Sequence, residues 1–252
     1  MQISRDTEAL PARYRHIFAA AVVRDVSSMT ELRELVRAEE AAHPSSVVFV
    51  TLDDLDQMLY TSGHATESDE LEVDTDDLDF LGDPDADRVL QRRQFAHTSA
   101  QLTRPELRVE WASLAGSRAG TPEDIDVLVR VNDAPVSLFD DVVLVLRAPV
   151  DEAADAIAVL PNGYFSDDWN VFQNHAVAWH LSDGYGYRPL GIGASWLGFS
   201  RDSPLGGEEA AALVAELTAL YGFPDAAGWA RLAEVLGRST TLFLGYTDNF
   251  AE

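Results

Sequence analysis

His175 and His180 stand five residues apart, and two carboxylates, Asp167 and Asp168, precede them. A histidine held by a carboxylate is a common general base. On a continuous helix, Asp167 falls about two turns before His175 and shares its face. This spacing gives a hydrolase reading, with His175 as the base and Asp167 or Asp168 orienting it. A shared metal ion is excluded by the same geometry. Five residues turn the two histidines roughly 140° apart, whereas paired zinc ligands on one helix stand three or four apart.

Other spacings fall short of the chemistry they resemble. Ser195 lies in Gly193-Ala194-Ser195-Trp196-Leu197-Gly198. A nucleophile elbow needs Gly-x-Ser-x-Gly between strand and helix, and here the second glycine is one place late. Gly191, Gly193 and Gly198 are spaced Gly-x-Gly-x4-Gly, which is not the dinucleotide fingerprint. They read as a hairpin turn. Asp74, Asp76, Asp77 and Asp79 look like the start of a calcium loop, but Asp79 and Asp85 occupy the positions that require glycine and glutamate. No cofactor or metal is expected.

Two absences narrow the chemistry further. All 18 basic residues are arginine, and cysteine does not occur. Schiff-base chemistry, a Walker lysine, thiol nucleophiles and thiolate metal sites are therefore ruled out. The 43 acidic residues give a net charge of −25, which repels nucleic-acid phosphates and anionic lipid and favours a basic protein partner. Direct nucleic-acid binding and membrane association are not expected. No apolar run reaches the roughly 18 residues of a spanning helix, and no apolar signal core follows Met1, so a cytoplasmic location is expected.

The charge is concentrated. Residues 53–87 carry 14 acids and no arginine, whereas residues 88–150 carry 8 of each. The stretch from about 60 to 87 reads as an acidic loop. It is a solvated chain, a docking surface for a basic partner on which Asp74, Asp76, Asp77 and Asp79 meet cations, or a calcium site of a kind other than the EF-hand. A second concentration, of aromatic residues, surrounds the histidines. Tyr164, Phe165, Trp169, Tyr185, Tyr187 and Trp196 lie among Asn162, Asp167, Asp168, Asn170 and Asn174. Tyrosine and tryptophan bury large area at little entropic cost, so this set is a candidate binding surface.

The elements that must position these residues follow from periodicity. Tyr14, Ile17, Phe18, Ala21 and Val22 predict a helix over about 11–24. Ser28 and Glu31 form a capping-box pattern before a second helix that ends near His43-Pro44. Residues 46–51 read as a buried strand, and Leu55, Met58 and Leu59 as a short helix. Asp83-Pro84 opens another helix through Ala96. Alternation predicts strands over 107–111 and 125–131, and the apolar run 142–146 predicts a central strand. Beyond it come a short helix at 151–160 and a helix over about 168–183 ended by Gly184. A hairpin spans 188–200, helices run over 208–220 and 229–236, and a closing strand covers 240–245. The fold class is α+β, a mixed or antiparallel sheet flanked by helices. The expected division is an N-terminal region 1–140 and a C-terminal domain 141–252.

The C-terminal block resembles a bacterial domain family of unknown function over about 142–248. The likeness rests on Trp179 through Tyr185-Gly186, the hairpin 188–200, and Glu209-Ala210 with Leu213. It continues through Tyr221-Gly222-Phe223-Pro224-Asp225, Leu232-Ala233-Glu234-Val235-Leu236, and Ser239 through Phe243 to Asp248. Phe223 stands where that family has cysteine, and Tyr246-Thr247-Asp248 where it has Trp-Trp-Asp. The resemblance implies an α+β fold and no particular reaction.

Three functions are thus expected to compete. The first is an acidic binding protein that holds a basic partner, in the manner of an antitoxin, an immunity protein or a DNA mimic. The second is a hydrolase built on His175. The third is a scaffold that self-associates through its aromatic residues; the oligomeric state is open.

Overall fold

The computed structural model describes every residue except Pro84, Ala119 and Glu252. Seven strands form one sheet: β1 (Gln2–Ser4), β2 (Ala19–Arg24), β3 (Val47–Thr51), β4 (Val142–Ala148), β5 (Arg188–Ile192), β6 (Trp196–Ser200) and β7 (Thr241–Gly245). Their order is β1-β2-β4-β3-β5-β6-β7. Every pairing is antiparallel except β3 with β5, so the sheet is mixed. Among the described residues seven α-helices pack around it: α1 (Met29–Ala42), α2 (Leu55–Ala65), α3 (Ala86–Leu102), α4 (Pro122–Asp133), α5 (Val171–Tyr185), α6 (Gly207–Tyr221) and α7 (Gly228–Leu236). The fold is α+β. No helix among the described residues is long and apolar enough to cross a membrane.

The expected division after residue 140 cuts through this sheet. β3 comes from the first 140 residues, yet it lies between β4 and β5 from the remainder. Val48, Val50, Val143, Leu144, Val145 and Leu146 are each fully buried there. Removing side chains of this kind from water contributes about 1.5–3 kcal/mol apiece, which ties the two segments into one core.

Two predicted elements change type. The helix expected over 11–24 is a 3-10 turn followed by β2, whose Ala20 to Val23 are all buried. A helix would bury only one stripe of that run, whereas an inner strand buries both faces. Conversely, the strand expected at 125–131 is helix α4. Thr121 and Asp124 close a reciprocal capping box, with Pro122 in the first turn. Ile125, Leu128, Val129 and Asn132 then face the core at helical spacing. The expected strand 107–111 is likewise absent; 3-10 turns occupy Pro105–Leu107 and Trp111–Leu114.

Asn132 closes the outer edge of β7. Its Nδ2 donates to the Phe243 and Leu128 carbonyls at 2.8 and 2.9 Å, and its Oδ1 accepts from the Phe243 N–H at 2.8 Å. An edge strand whose backbone is satisfied by a buried amide offers no template for a further strand at that point.

Candidate functional site

Helix α2 follows β3 through a single left-handed residue. Asp54 (φ 36°) turns the chain, and its Oδ1 accepts from the Gln57 N–H at 3.0 Å to start the helix. Leu55, Met58, Thr61, Ser62 and Ala65 face inward. Tyr60 and His64 are left on the outer side, one turn apart, and Tyr60 is 58% exposed. Their rings meet at 4.4 Å, and His64 continues to Tyr164 at 5.0 Å and Tyr164 to Phe165 at 5.2 Å. Four rings from two distant segments thus form one exposed aromatic ridge.

The acidic segment walls this ridge. After α2 the chain turns at Ser68, whose carbonyl accepts from Leu71 and Glu72, and Leu71 is buried as an anchor. Asp74 and Asp79 each accept backbone N–H groups two or three residues on, which fixes the following turns. Helix α3 holds the segment from outside. Arg93 grips both carboxylate oxygens of Asp77 at 2.8 and 3.0 Å and also the Asp74 carbonyl. The Arg93 hydrogen bonds hold the Asp77 carboxyl below its ordinary pKa. Asp74, Asp76, Asp77 and Asp79 are all exposed, and so are Glu67, Asp69, Glu70 and Glu72. The expected loop is therefore ordered by its own turns and by one arginine clamp.

Two clefts flank α2. One, of about 460 Å³, lies between Tyr164 and Phe172 on one side and His64, Glu67 and Glu70 on the other. Asn170 lines it as well. The second, about 550 Å³, is bounded by Tyr60, Phe80, Glu67 and Glu72. His64 and Glu67 belong to both, and they are joined by a 3.0 Å hydrogen bond. Among the described residues no arginine lines either cleft. A space walled by π-faces and carboxylates, with His64 its one imidazole among the described residues, suits a guanidinium or ammonium group.

No family model, curated protein or solved structure matches this chain. The functional reading rests on the site alone.

The remaining predicted site residues are dispersed. Helix α5 is capped by Asn170, whose Oδ1 accepts from the Phe172 and Gln173 N–H groups while Gln173 answers to the Asn170 N–H. The reciprocal cap starts the helix at Val171 rather than near 168, and Gly186 (φ 67°), not Gly184, ends it. Asp167 and Asp168 consequently lie outside the helix, and the two-turn relation to His175 does not exist. His175 Nε2 instead meets Asp155 Oδ1 at 2.8 Å. Asp168 Oδ1 accepts from the Asp248 N–H at 3.3 Å, and burial raises its pKa despite nearby Arg118. Asp167 is exposed. The proposed catalytic pairing is not present.

The expected aromatic patch also divides. Trp169, Tyr187 and Trp196 are buried, and Trp169 Nε1 donates to Ser117 Oγ at 2.7 Å. Tyr185 belongs to another cluster. Its hydroxyl donates to Glu216 Oε1 at 2.8 Å, His180 Nε2 meets Glu216 Oε2 at 2.6 Å, and the His180 ring stacks on Trp111 at 3.9 Å. Burial first, and Glu216 second, push the Tyr185 phenol well up. This group ties α5 to α6. Of the aromatic set only Tyr164 and Phe165 reach the surface widely, and both join the α2 ridge. Sequence reading missed Tyr60, His64 and Phe80. The available signal was the i, i+4 pair Tyr60/His64 directly before the acidic run.

One further carboxylate is unusual. Asp53, at the end of β3, accepts from the Ser195 N–H at 2.9 Å through Oδ2, while its Oδ1 is buried with no partner. Burial pushes its carboxyl up to about 7. A Cβ on Gly193 would stand 1.8 Å from Asp53 Oδ1, so glycine is required there. Among the described residues no three His, Cys, Asp or Glu side chains gather as a metal site.

Proposed function

We propose that this protein is a non-enzymatic binding protein that captures an arginine- or lysine-rich segment of a basic protein on the α2 surface. The observation that carries the reading is the composition of the two clefts. Tyr60, Phe80, Tyr164 and Phe172 supply apolar and π contact, Glu67, Glu70 and Glu72 supply charge, and no arginine lies among them. An extended basic segment crossing α2 would place one cationic side chain in each cleft. The exposed carboxylates 74–79 would extend the field that steers the partner in. Antitoxin-like, immunity-like and DNA-mimic roles are all forms of this reading, and each puts the protein in the cytoplasm with its partner. The resemblance of residues 142–248 to a bacterial domain of unknown function is compatible with any of them.

The hydrolase reading has lost its geometric basis, because His175 pairs with Asp155 and lines neither cleft. The direct test is titration of a fluorescent arginine-rich peptide with the whole protein. Wild type is expected to bind saturably, and Tyr164→Ala, which removes an exposed ring, to weaken binding about 5- to 30-fold. Equal affinity of wild type and a variant lacking both Tyr60 and Tyr164 rings would overturn the assignment of the clefts.

A further inference from the structure

On a different face, helix α1 and the β5–β6 hairpin enclose a polar pocket of about 210 Å³. Four of the protein's 18 arginines line it: Arg33 and Arg37 from α1, Arg188 at the start of β5, and Arg201 just after β6. In a chain with more than twice as many acids as bases, this gathering is the reverse of the α2 surface.

The pocket holds two carboxylates, and both are already bound. Arg37 Nη2 meets Asp202 Oδ1 at 2.8 Å, and Arg188 Nη2 meets Glu40 Oε1 at 3.1 Å. Arg33 is tied down as a structural strut; it donates to Thr240 Oγ1 and, at 2.7 Å, to the Arg201 carbonyl. Burial, reinforced by the neighbouring Arg37 cation, pushes the Arg33 pKa down. Arg201 is the exception. Its Nη1 is buried with no hydrogen-bond partner among the described residues, and its guanidinium lies 5.6 Å from the ring centre of Tyr187. The Tyr187 hydroxyl is buried and also has no hydrogen-bond partner among the described residues. No hydrogen bond or ion pair occupies the rest of the Arg201 guanidinium among the described residues, so the pocket keeps one cation for an anion to meet.

We propose that this pocket binds a phosphate-class oxyanion, with Arg201 as the principal ligand and Arg33 and Arg188 beside it. The arginines that line the pocket come from three elements, α1, β5 and the end of β6. That arrangement suits a tetrahedral anion with several acceptor oxygens better than a planar carboxylate, which one guanidinium fork satisfies. The volume corresponds to about seven waters at ~30 Å³ each, enough for a phosphate and the first atoms of an ester. Inorganic phosphate and a phosphomonoester share this chemistry.

The test is calorimetric titration of the full chain at fixed ionic strength with inorganic phosphate, O-phosphoserine and acetate. Saturable binding of one or both phosphate compounds, with acetate inert, is expected. Which of the two binds identifies free ion or ester as the natural form. Arg201→Gln should weaken that binding at least about tenfold, while Arg238→Gln, whose partner is Asp133 elsewhere on the surface, should leave it unchanged. If Arg201→Gln fails to fold by circular dichroism, Arg188→Gln on the exposed rim takes its place, with weakened binding expected. No phosphate-specific heat well into the millimolar range would overturn the site. So would binding of acetate equal to phosphate, or undiminished affinity in the folded arginine variants.

Discussion

The α2 surface and the α1 pocket each lie on a helix next to β3 in sequence, α1 before it and α2 after it, and they end with opposite chemistry. Around α2 the carboxylates of Glu70 and Glu72 have no cation partner among the described residues, and no arginine is among the described residues lining the clefts. In the α1 pocket four arginines are gathered and the two carboxylates that line it are each paired. The difference shows that a net charge of −25 does not describe any one face of the molecule. What matters is which carboxylates already have a partner. Glu216 is consumed by His180 and Tyr185, and Asp155 by His175. Within the acidic stretch, Asp77 pairs with Arg93, whereas Glu70 and Glu72 remain available beside exposed rings.

Neutralising the carboxylates of the clefts should have the largest effect. Glu67→Gln, Glu70→Gln and Glu72→Gln together should weaken capture of an arginine-rich peptide by about 3 kcal/mol, roughly a hundredfold. The measurement is fluorescence anisotropy, with phosphate binding at the α1 pocket as an internal control that should not move. A loss at both sites would mean that the triple variant disturbs the fold.

Next in size is a test of the shared core that keeps the two faces in register. Asn132→Ala leaves the buried N–H and C=O of Phe243 unpaired. It should cost about 2–3 kcal/mol in urea unfolding. An unchanged midpoint would show that β7 does not depend on this amide.

A pH profile sharpens the same picture from the interior. Asp53 keeps its proton to about 7 in the folded protein, against an ordinary value of 3.8. Because the folded pKa is the higher one, its contribution to stability is complete below about 3.8 and is lost as the pH rises to about 7. Asp53→Asn should flatten that fall. His16, whose pKa burial lowers to about 4, works in the opposite sense over the same range, so the readout is the difference between wild type and variant. Identical pH dependence of the two would contradict the burial of Asp53.

The smallest effect is expected at the clamp. Arg93→Gln frees Asp77 and the Asp74 carbonyl. Amide exchange should accelerate over residues 74–79 while the helices stay protected, with peptide affinity only slightly reduced. Unaltered exchange there would show that the turns hold the segment by themselves.

How much of this was legible in the chain depends on the range of the interactions involved. The elements from 142 onward follow from local periodicity and breakers, and the helices α6 and α7 and strands β4 to β7 lie close to their expected positions. The first 140 residues were harder. In β2, apolar residues at helical spacing belong to a strand buried on both faces. In α4, alternating Ile125, Val127, Val129 and Val131 mask a helix that begins at a Thr121–Asp124 capping box. Local pattern alone cannot choose between a helix and a strand for a short apolar run. The acidic segment and Tyr164 were visible as candidates. Their meeting with Tyr60 and His64 was not, because it joins residues about a hundred positions apart. His175 misled for the opposite reason: its apparent partners were near in sequence, but the Asn170 cap ended their helical relation.

The claim that free carboxylates beside exposed rings capture a cationic segment is tested most directly by the salt dependence of peptide binding. Affinity measured by anisotropy from low salt to molar salt should fall steadily, because exposed charges are screened within about 10 Å at 0.1 M and about 3 Å at 1 M. A residual contribution from Tyr60 and Tyr164 should persist. Binding that passes unchanged from low to molar salt would contradict the account.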